Sequence, residues 1–170
     1  IENNVKGAVN AVESSGHIKK FIHISSSSVY VHQQGKLLEK DASLSRTRQL
    51  SPYGISKLQS EIAIREIIGT RSCDILRPKV LYGIGDRKIL PRILKFVKNG
   101  VLQVPGKMEC SASITHYKNM ARAIECCLES DRSDIHIYNV ADESPTKLIS
   151  FVRSLCEVVF GKQIREKQIP

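Results

Sequence analysis

No run of about eighteen apolar residues occurs in this 170-residue chain, so no segment has the length and hydropathy of a bilayer-spanning helix. The opening stretch IENNVKGAVN has neither the basic flank nor the apolar centre of a signal peptide. An initiating methionine is also missing, and the sequence is expected to begin inside a longer protein. No C-x-x-C pair is present. The five cysteines (Cys73, Cys110, Cys126, Cys127, Cys156) are scattered, which excludes a disulfide framework or a zinc site and reads as reduced thiols buried like small apolar residues. A cytoplasmic location is the matching expectation. Aromatic residues make up only 5% and do not interleave with the basic ones. The net charge of +9 is therefore read as a generally anion-attracting surface, with no specific nucleic acid as partner.

What is present suits one globular domain with a real core: 41% hydrophobic and 25% charged residues are ordinary proportions for a soluble fold. Val5, Ala8, Val9 and Val12 recur at helical spacing before Gly16. KKFIHISSSSVY reads as a strand ending in four serines, and residues 31–50 as loop. A helix is predicted from Pro52 to about Ile68, closed by Gly69, then a strand over Ser72–Pro78 with a turn at YGIGD. RKILPRILKFVKNG is predicted to be one basic amphipathic helix, with Ile89, Leu90, Ile93, Leu94 and Val97 on its apolar face. SITHY and IHIYNVAD read as strands flanking the helix KNMARAIECCLES. Ser144 and Pro145 read as the cap and first turn of a last helix. This alternation predicts an α/β fold with a mainly parallel sheet.

The chemistry-bearing stretch is SPYGISK. Tyr53 and Lys57 stand at i and i+4 and leave one helix face, while Ser25–Ser28 end a strand, where open α/β sheets place ligands. A free phenol has a pKa of about 10; lowering it to neutrality requires roughly 4 kcal/mol. An ammonium at about 4 Å supplies that order of energy at an effective dielectric near 20. With a serine holding the substrate oxygen, the three groups form an acid/base device. The bland reading of Y-x-x-x-K alone is a surface pair.

FIHISSSSVY, SPYGISK, LRPKVLYGIGD, SITHYKNMARAI and IYNVADESPTKL, in that order, resemble an extended short-chain dehydrogenase/reductase, the group holding nucleotide-sugar epimerases and dehydratases and 3β-hydroxysteroid dehydrogenases. The resemblance runs from about Asn4 to Gly161. It implies a Rossmann-like parallel sheet whose amino-terminal portion is absent, contributed by residues 1–82. Residues 83–170 would form mainly a small substrate-binding part interleaved with the sheet. It implies NAD or NADP as cofactor and a small-molecule substrate, sterol-like or nucleotide-sugar, oxidised at a secondary alcohol or reduced at a ketone; it also allows a homodimer. By the resemblance the active-site hydroxyl falls on Ser26, the catalytic tyrosine on Tyr53 and the ribose-binding lysine on Lys57. Arg77 to Val80 would run beside the nicotinamide, with Pro78 and Val80 as cofactor contacts, and Ser27 and Ser28 would face the substrate.

The family's G-x-x-G-x-x-G phosphate loop does not occur; Gly83 and Gly85 follow a different strand. Sugar-nucleotide members usually carry an asparagine near Val80; Ser111 and Ser113 stand near an expected arginine, Lys118 at an expected acid and Val31 at an expected glycine. These departures weaken pyrophosphate binding and lean toward the sterol-dehydrogenase-like branch. The 170 residues alone are expected to be inactive, and a non-catalytic scaffold retaining the fold is the alternative. The basic helix is read first as core-packed with a solvated charged face. Phosphate contact by Arg87, Lys88 or Arg92 comes next, with Arg87 the substrate-binding candidate, and membrane-surface contact last. His23 and His116 lack ligand-spaced neighbours, so no metal is expected. Asp142 and Glu143 read as solvated turn residues.

Overall fold

The computed structural model describes residues 2–31, 38–42, 50–105 and 110–169. In chain order the elements are α1 (Glu2–Ser14), β1 (Lys20–Ile24), 3-10 turns at Ser27–Val29 and Glu39–Asp41, α2 (Pro52–Ile67), β2 (Ser72–Pro78) and β3 (Val80–Tyr82). Then come α3 (Ile89–Leu94), β4 (Val97–Lys98), β5 (Val101–Pro105), β6 (Ser111–Ala112), β7 (Ile114–His116) and α4 (Tyr117–Glu129). The chain closes with β8 (Ile135–Val140), β9 (Thr146–Lys147), α5 (Leu148–Phe160) and β10 (Arg165–Ile169). Most of the loop expected over 31–50 lies outside the described residues; its middle is the second 3-10 turn.

Two compact units result, Ile1–Lys79 with Lys118–Val140, and Val80–Tyr117 with Ala141–Pro170. The first holds an all-parallel sheet in the order β1-β2-β8. Parallel neighbours need crossovers, and α2 supplies the one between β1 and β2. Lys20 to Ile24 pair with Ser72 to Leu76, and Cys73 to Pro78 with Ile135 to Val140. The central strand β2 is covered on both faces, which is why Cys73 through Pro78 are all buried. Its period of two sorts the faces. Cys73 and Ile75 meet Ala8 and Val12 of α1 and Ile64 of α2, while Leu76 meets Met120 and Cys127 of α4. The same period sets Phe21, His23 and Ser25, together with Arg77, toward α2.

Helix carbonyls at three ends are satisfied by basic side chains, a use of positive charge that composition cannot reveal. Arg71 donates from Nη1 to the carbonyls of Val12 (3.0 Å) and Ser15 (3.1 Å) and from Nε to that of Ile68 (3.0 Å), closing α1 and α2 together. Lys20 Nζ donates to the carbonyls of Cys127 (2.5 Å) and Ser130 at the end of α4.

In the second unit β10-β5-β4 forms one sheet, and β3 with β7 and β6 with β9 form two pairs. Leu102, Val152 and Cys156 make its core, with Ile93, Val97, Val104, Ile149 and Ile164 around them. Three expectations fail, the first two in this unit. The basic amphipathic helix stops after six residues, at Leu94. Val97 and Lys98 then pair antiparallel with Leu102 and Val101 around Asn99 (φ 50) and Gly100 (φ 71). Two adjacent positive φ values define the hairpin turn that Asn-Gly favours, and it overrode the helical period. The last helix begins at Leu148 and not at Ser144–Pro145, because Thr146 and Lys147 first pair with Ala112 and Ser111. Finally, Cys110 and Cys126 are exposed, so the buried-thiol reading holds only for Cys73, Cys127 and Cys156. Burial and the neighbouring Asp74 push the Cys73 thiol up to about 11.

Arg71→Ala removes three hydrogen bonds at once, although the carbonyls of Val12, Ser15 and Ile68 keep second donors in the Ser15 hydroxyl, the Ile18 N–H and the backbone N–H of position 71, and should cost about 1–2 kcal/mol. Urea unfolding measures it; an unchanged midpoint would show that water replaces the guanidinium at no cost.

Candidate active site

The four serines differ sharply in what they do. Ser25 continues the sheet, its N–H donating to the Leu76 carbonyl (2.7 Å). Ser26 is extended (φ −160, ψ 149); its hydroxyl accepts from the Ser28 N–H (3.1 Å) and donates to the Ser28 hydroxyl (3.1 Å). That cap starts the 3-10 turn, in which the N–H groups of Val29 and Tyr30 donate to the carbonyls of Ser26 and Ser27 (both 3.2 Å). The half-buried hydroxyls of Ser26 and Ser28 thus stand at the carboxyl end of β1.

The start of α2 is seated on this turn. Ser51 caps the helix by accepting from the Gly54 N–H (3.1 Å), and Pro52 takes the first-turn position that needs no donor. A Cβ on Gly54 would lie 2.1 Å from the Ser28 carbonyl oxygen, so only glycine allows the two backbones to meet. The first turn of α2 therefore rests on the serine turn and carries Tyr53, a residue 51% exposed. One turn on, the half-buried Lys57 donates from Nζ to the carbonyl of Ile24, the last residue of β1 (2.9 Å). Burial pushes its ammonium down, and the Glu61 charge works against that shift. The structure thus brings Ser26, Ser27, Ser28, Tyr53 and Lys57 to one strand end.

Beneath them lies a polar network absent from the sequence reading. Glu61 is fully buried and Arg77 is 1% exposed. Arg77 grips the carboxylate with two bonds, Nε to Oε1 (2.9 Å) and Nη2 to Oε2 (2.6 Å). Ser25 donates its hydroxyl proton to the same Oε1 (2.5 Å). Arg77 Nη1 donates to the Tyr30 hydroxyl (2.9 Å) and the Glu39 carbonyl (2.7 Å). The Tyr30 hydroxyl donates to Asn139 Oδ1 (2.6 Å), and the Asn139 backbone N–H donates to the Glu39 carboxylate (3.1 Å). Burial alone would lower the guanidinium pKa, and the bonds from Glu61 and Tyr30 hold it above its ordinary value. Arg77 is thus an internal residue of this network. Two signals pointed here: a carboxylate four residues after Lys57 on a sheet-facing helix stripe, and an arginine inside a continuously buried strand.

His23 belongs to the same face. Its Nε2 meets Ser60 Oγ (3.0 Å), and Ser60 donates onward to the Lys57 carbonyl (2.7 Å), so Nε2 carries the proton. Burial, then the Lys57 charge, drive its pKa down to about 4, with Glu61 opposing.

Of the remaining candidates, Pro78 is buried opposite Val140 at the end of β2. Val80 is 46% exposed and Arg87 is exposed, both in the second unit. Asp142 is not a free turn residue. It accepts from the Tyr82 hydroxyl (3.0 Å) and the His116 N–H (2.9 Å), and the rings of His116 and Phe151 pack edge-on to Tyr82. Burial and then Asp142 raise the Tyr82 pKa.

A sequence model described as the NAD dependent epimerase/dehydratase family matches residues 1–141. Among curated proteins, the chain is 24% identical over 173 residues to a trifunctional UDP-glucose 4,6-dehydratase/UDP-4-keto-6-deoxy-D-glucose 3,5-epimerase/UDP-4-keto-L-rhamnose-reductase of Arabidopsis thaliana, covering 95% of this chain and 25% of the relative. It is 27% identical over 177 residues to the N-acetyl-alpha-D-glucosaminyl-diphospho-ditrans,octacis-undecaprenol 4-epimerase of Escherichia coli O157:H7, covering 98% and 51%. Among solved structures, UDP-glucuronic acid 4-epimerase from Bacillus cereus in complex with NAD superposes with a TM-score of 0.76 at 26% identity, covering 98% of this chain and 55% of that one. The chain therefore spans between a quarter and about half of the length of these proteins.

Gly54→Ala should destabilise by about 1–3 kcal/mol, since backbone cannot retreat cheaply, although alanine gains roughly 1 kcal/mol of helix propensity. A variant as stable as the parent in urea would refute the close contact. The second expectation concerns pH. An unfolded histidine titrates near 6.5 whereas folded His23 titrates at about 4. Between those values the unfolded state holds the extra proton, so stability falls as pH drops through the window, by roughly 3 kcal/mol in all. Unfolding curves at pH 7, 5 and 4 should show this loss in the parent and less of it in His23→Gln; equal slopes would assign the loss to other groups.

Proposed function

The chain belongs to the NAD-dependent epimerase/dehydratase family, and from that premise we propose that the protein catalyses an NAD-linked oxidation and reduction at a secondary alcohol of a diphosphate-linked sugar. The observation that carries this reading is the Lys57 ammonium fixed on the Ile24 carbonyl beside a serine turn on which the Tyr53-bearing helix end is seated. The sugar diphosphate is chosen because UDP-sugars, or a sugar diphospho-lipid, appear in the names of the relatives. NAD is chosen because the structural neighbour was solved with it.

The residues present fit the nicotinamide-ribose end of such a cofactor. An ammonium has three donors, and Ile24 uses one, so Lys57 keeps two N–H groups for ribose hydroxyls. Bound there, NAD would supply the acceptor for the two electrons leaving the alcohol carbon. The chain's own residues handle the proton. Ser26 would give up its bond to Ser28 to hold the substrate oxygen, and Tyr53 would take the hydroxyl proton during oxidation and return it on reduction. Epimerisation and dehydration both begin with this oxidation, so the same groups serve either outcome.

Tyr53→Phe in the natural protein should lower turnover at least about 100-fold, the scale of a lost general base, while NADH affinity by fluorescence titration stays unchanged. Turnover should be measured on UDP-sugars and on 3β-hydroxysterols. Retained activity would remove Tyr53 from the chemistry, failure of the parent to bind NADH would remove the enzyme reading, and activity confined to sterols would overturn the substrate class.

A further inference from the structure

Two hydrogen bonds close a ring around the end of β1. Lys57 Nζ holds the Ile24 carbonyl, and the hydroxyl of the next residue, Ser25, donates to Glu61, which lies one helical turn beyond Lys57 on α2. The ring thus runs through one turn of helix, one carboxylate, one hydroxyl and one peptide unit. Arg77 holds both carboxylate oxygens from the neighbouring strand, and the same Oε1 faces Ser25. Ser25, Glu61 and Arg77 are all buried, so water cannot substitute for the bonds among these three.

Resting on the role given above to Lys57, we propose that Glu61 is a positioning residue: locked by Arg77, it clamps the Ile24–Ser25 peptide to α2 and thereby fixes the direction of the Lys57 ammonium. Stability alone does not call for an ion pair here. Buried pairs replaced by apolar residues of similar volume often leave proteins as stable as before. What an apolar pair cannot do is accept the Ser25 hydroxyl hydrogen bond, which adds to the bond from the same peptide's N–H to the Leu76 carbonyl in holding the carbonyl on which Lys57 rests. The lysine stem has four rotatable bonds and finds its aim only if that carbonyl is held still.

The test reads the amine directly and needs neither cofactor nor turnover. Acetylation of Lys57 by an N-hydroxysuccinimide ester is timed by peptide mass spectrometry, with exposed Lys95 as internal reference. Two variants are compared with the parent: Ser25→Ala, which removes one bond and keeps the ion pair, and Glu61→Leu/Arg77→Met, which replaces the pair by apolar volume. Urea midpoints establish that each is folded. In the double variant Lys57 should react about tenfold faster, the factor that loss of one charge-assisted hydrogen bond gives, with Lys95 unchanged. Ser25→Ala should show a smaller rise in the same direction. A folded double variant with parental Lys57 reactivity would overturn the proposal. If the double variant does not fold, Ser25→Ala decides, and parental reactivity there overturns it equally. Because labelling is independent of catalysis, an inactive Tyr53 assignment would sink the proposed reaction while leaving this result standing, and the reverse also holds.

Discussion

A carboxylate and a guanidinium shut away from water at the centre of a sheet–helix interface are the constraint on which the first unit turns. Two buried ions cost several kcal/mol each in lost hydration, and only close contact with full hydrogen bonding offsets that. Glu61 and Arg77 meet both conditions, through two mutual bonds and further partners in Ser25, Tyr30 and Glu39. Because neither ion tolerates an empty valence, each partner is drawn to a fixed place. Ser25 comes from the end of β1, one residue past it, Arg77 from β2, Asn139 from β8 through Tyr30, Glu61 from α2, and Glu39 from the second 3-10 turn. The pair gathers five elements at one end of the sheet, which apolar packing lower in the sheet would not orient.

The positive charge of the chain looks different once its uses are known. Arg71 and Lys20 cap helix carbonyls, Arg77 neutralises a buried acid and Lys57 grips a strand-end carbonyl. Four cations are thus structural or site-forming. A net excess of basic residues does not by itself describe a surface.

Periodicity made the first unit legible. α1, β1, α2, β2, α4 and β8 all lie within a few residues of where apolar spacing puts them, because each buries a continuous stripe or both faces. The second unit was not legible by the same rule. β4, β6 and β9 have two residues each, too few to show any period, and Ile89 to Val97 keeps helical spacing across a helix end. The Asn99-Gly100 dipeptide was the stronger signal there, since only that turn demands two positive φ values. The serine–tyrosine–lysine group was found through its spacing and family resemblance. Glu61 was missed because an acid four residues from a lysine ordinarily reads as an exposed pair, and sequence does not say which charges are buried.

The contrast with an exposed pair shows what the arrangement achieves. Were Lys57 paired with Glu61, as i and i+4 charges on an isolated helix would be, its field would be spent within the pair. Instead Arg77 takes both oxygens of Glu61, and Lys57 is left with a neutral carbonyl as partner. A carbonyl fixes direction without cancelling charge. The net lowering of the Lys57 pKa accords with this, since burial outweighs what remains of the Glu61 charge at that position. An ammonium aimed by a dipole and not quenched by an anion keeps its charge available at the strand end. The buried arginine therefore acts on the site at second hand, by keeping the acid occupied.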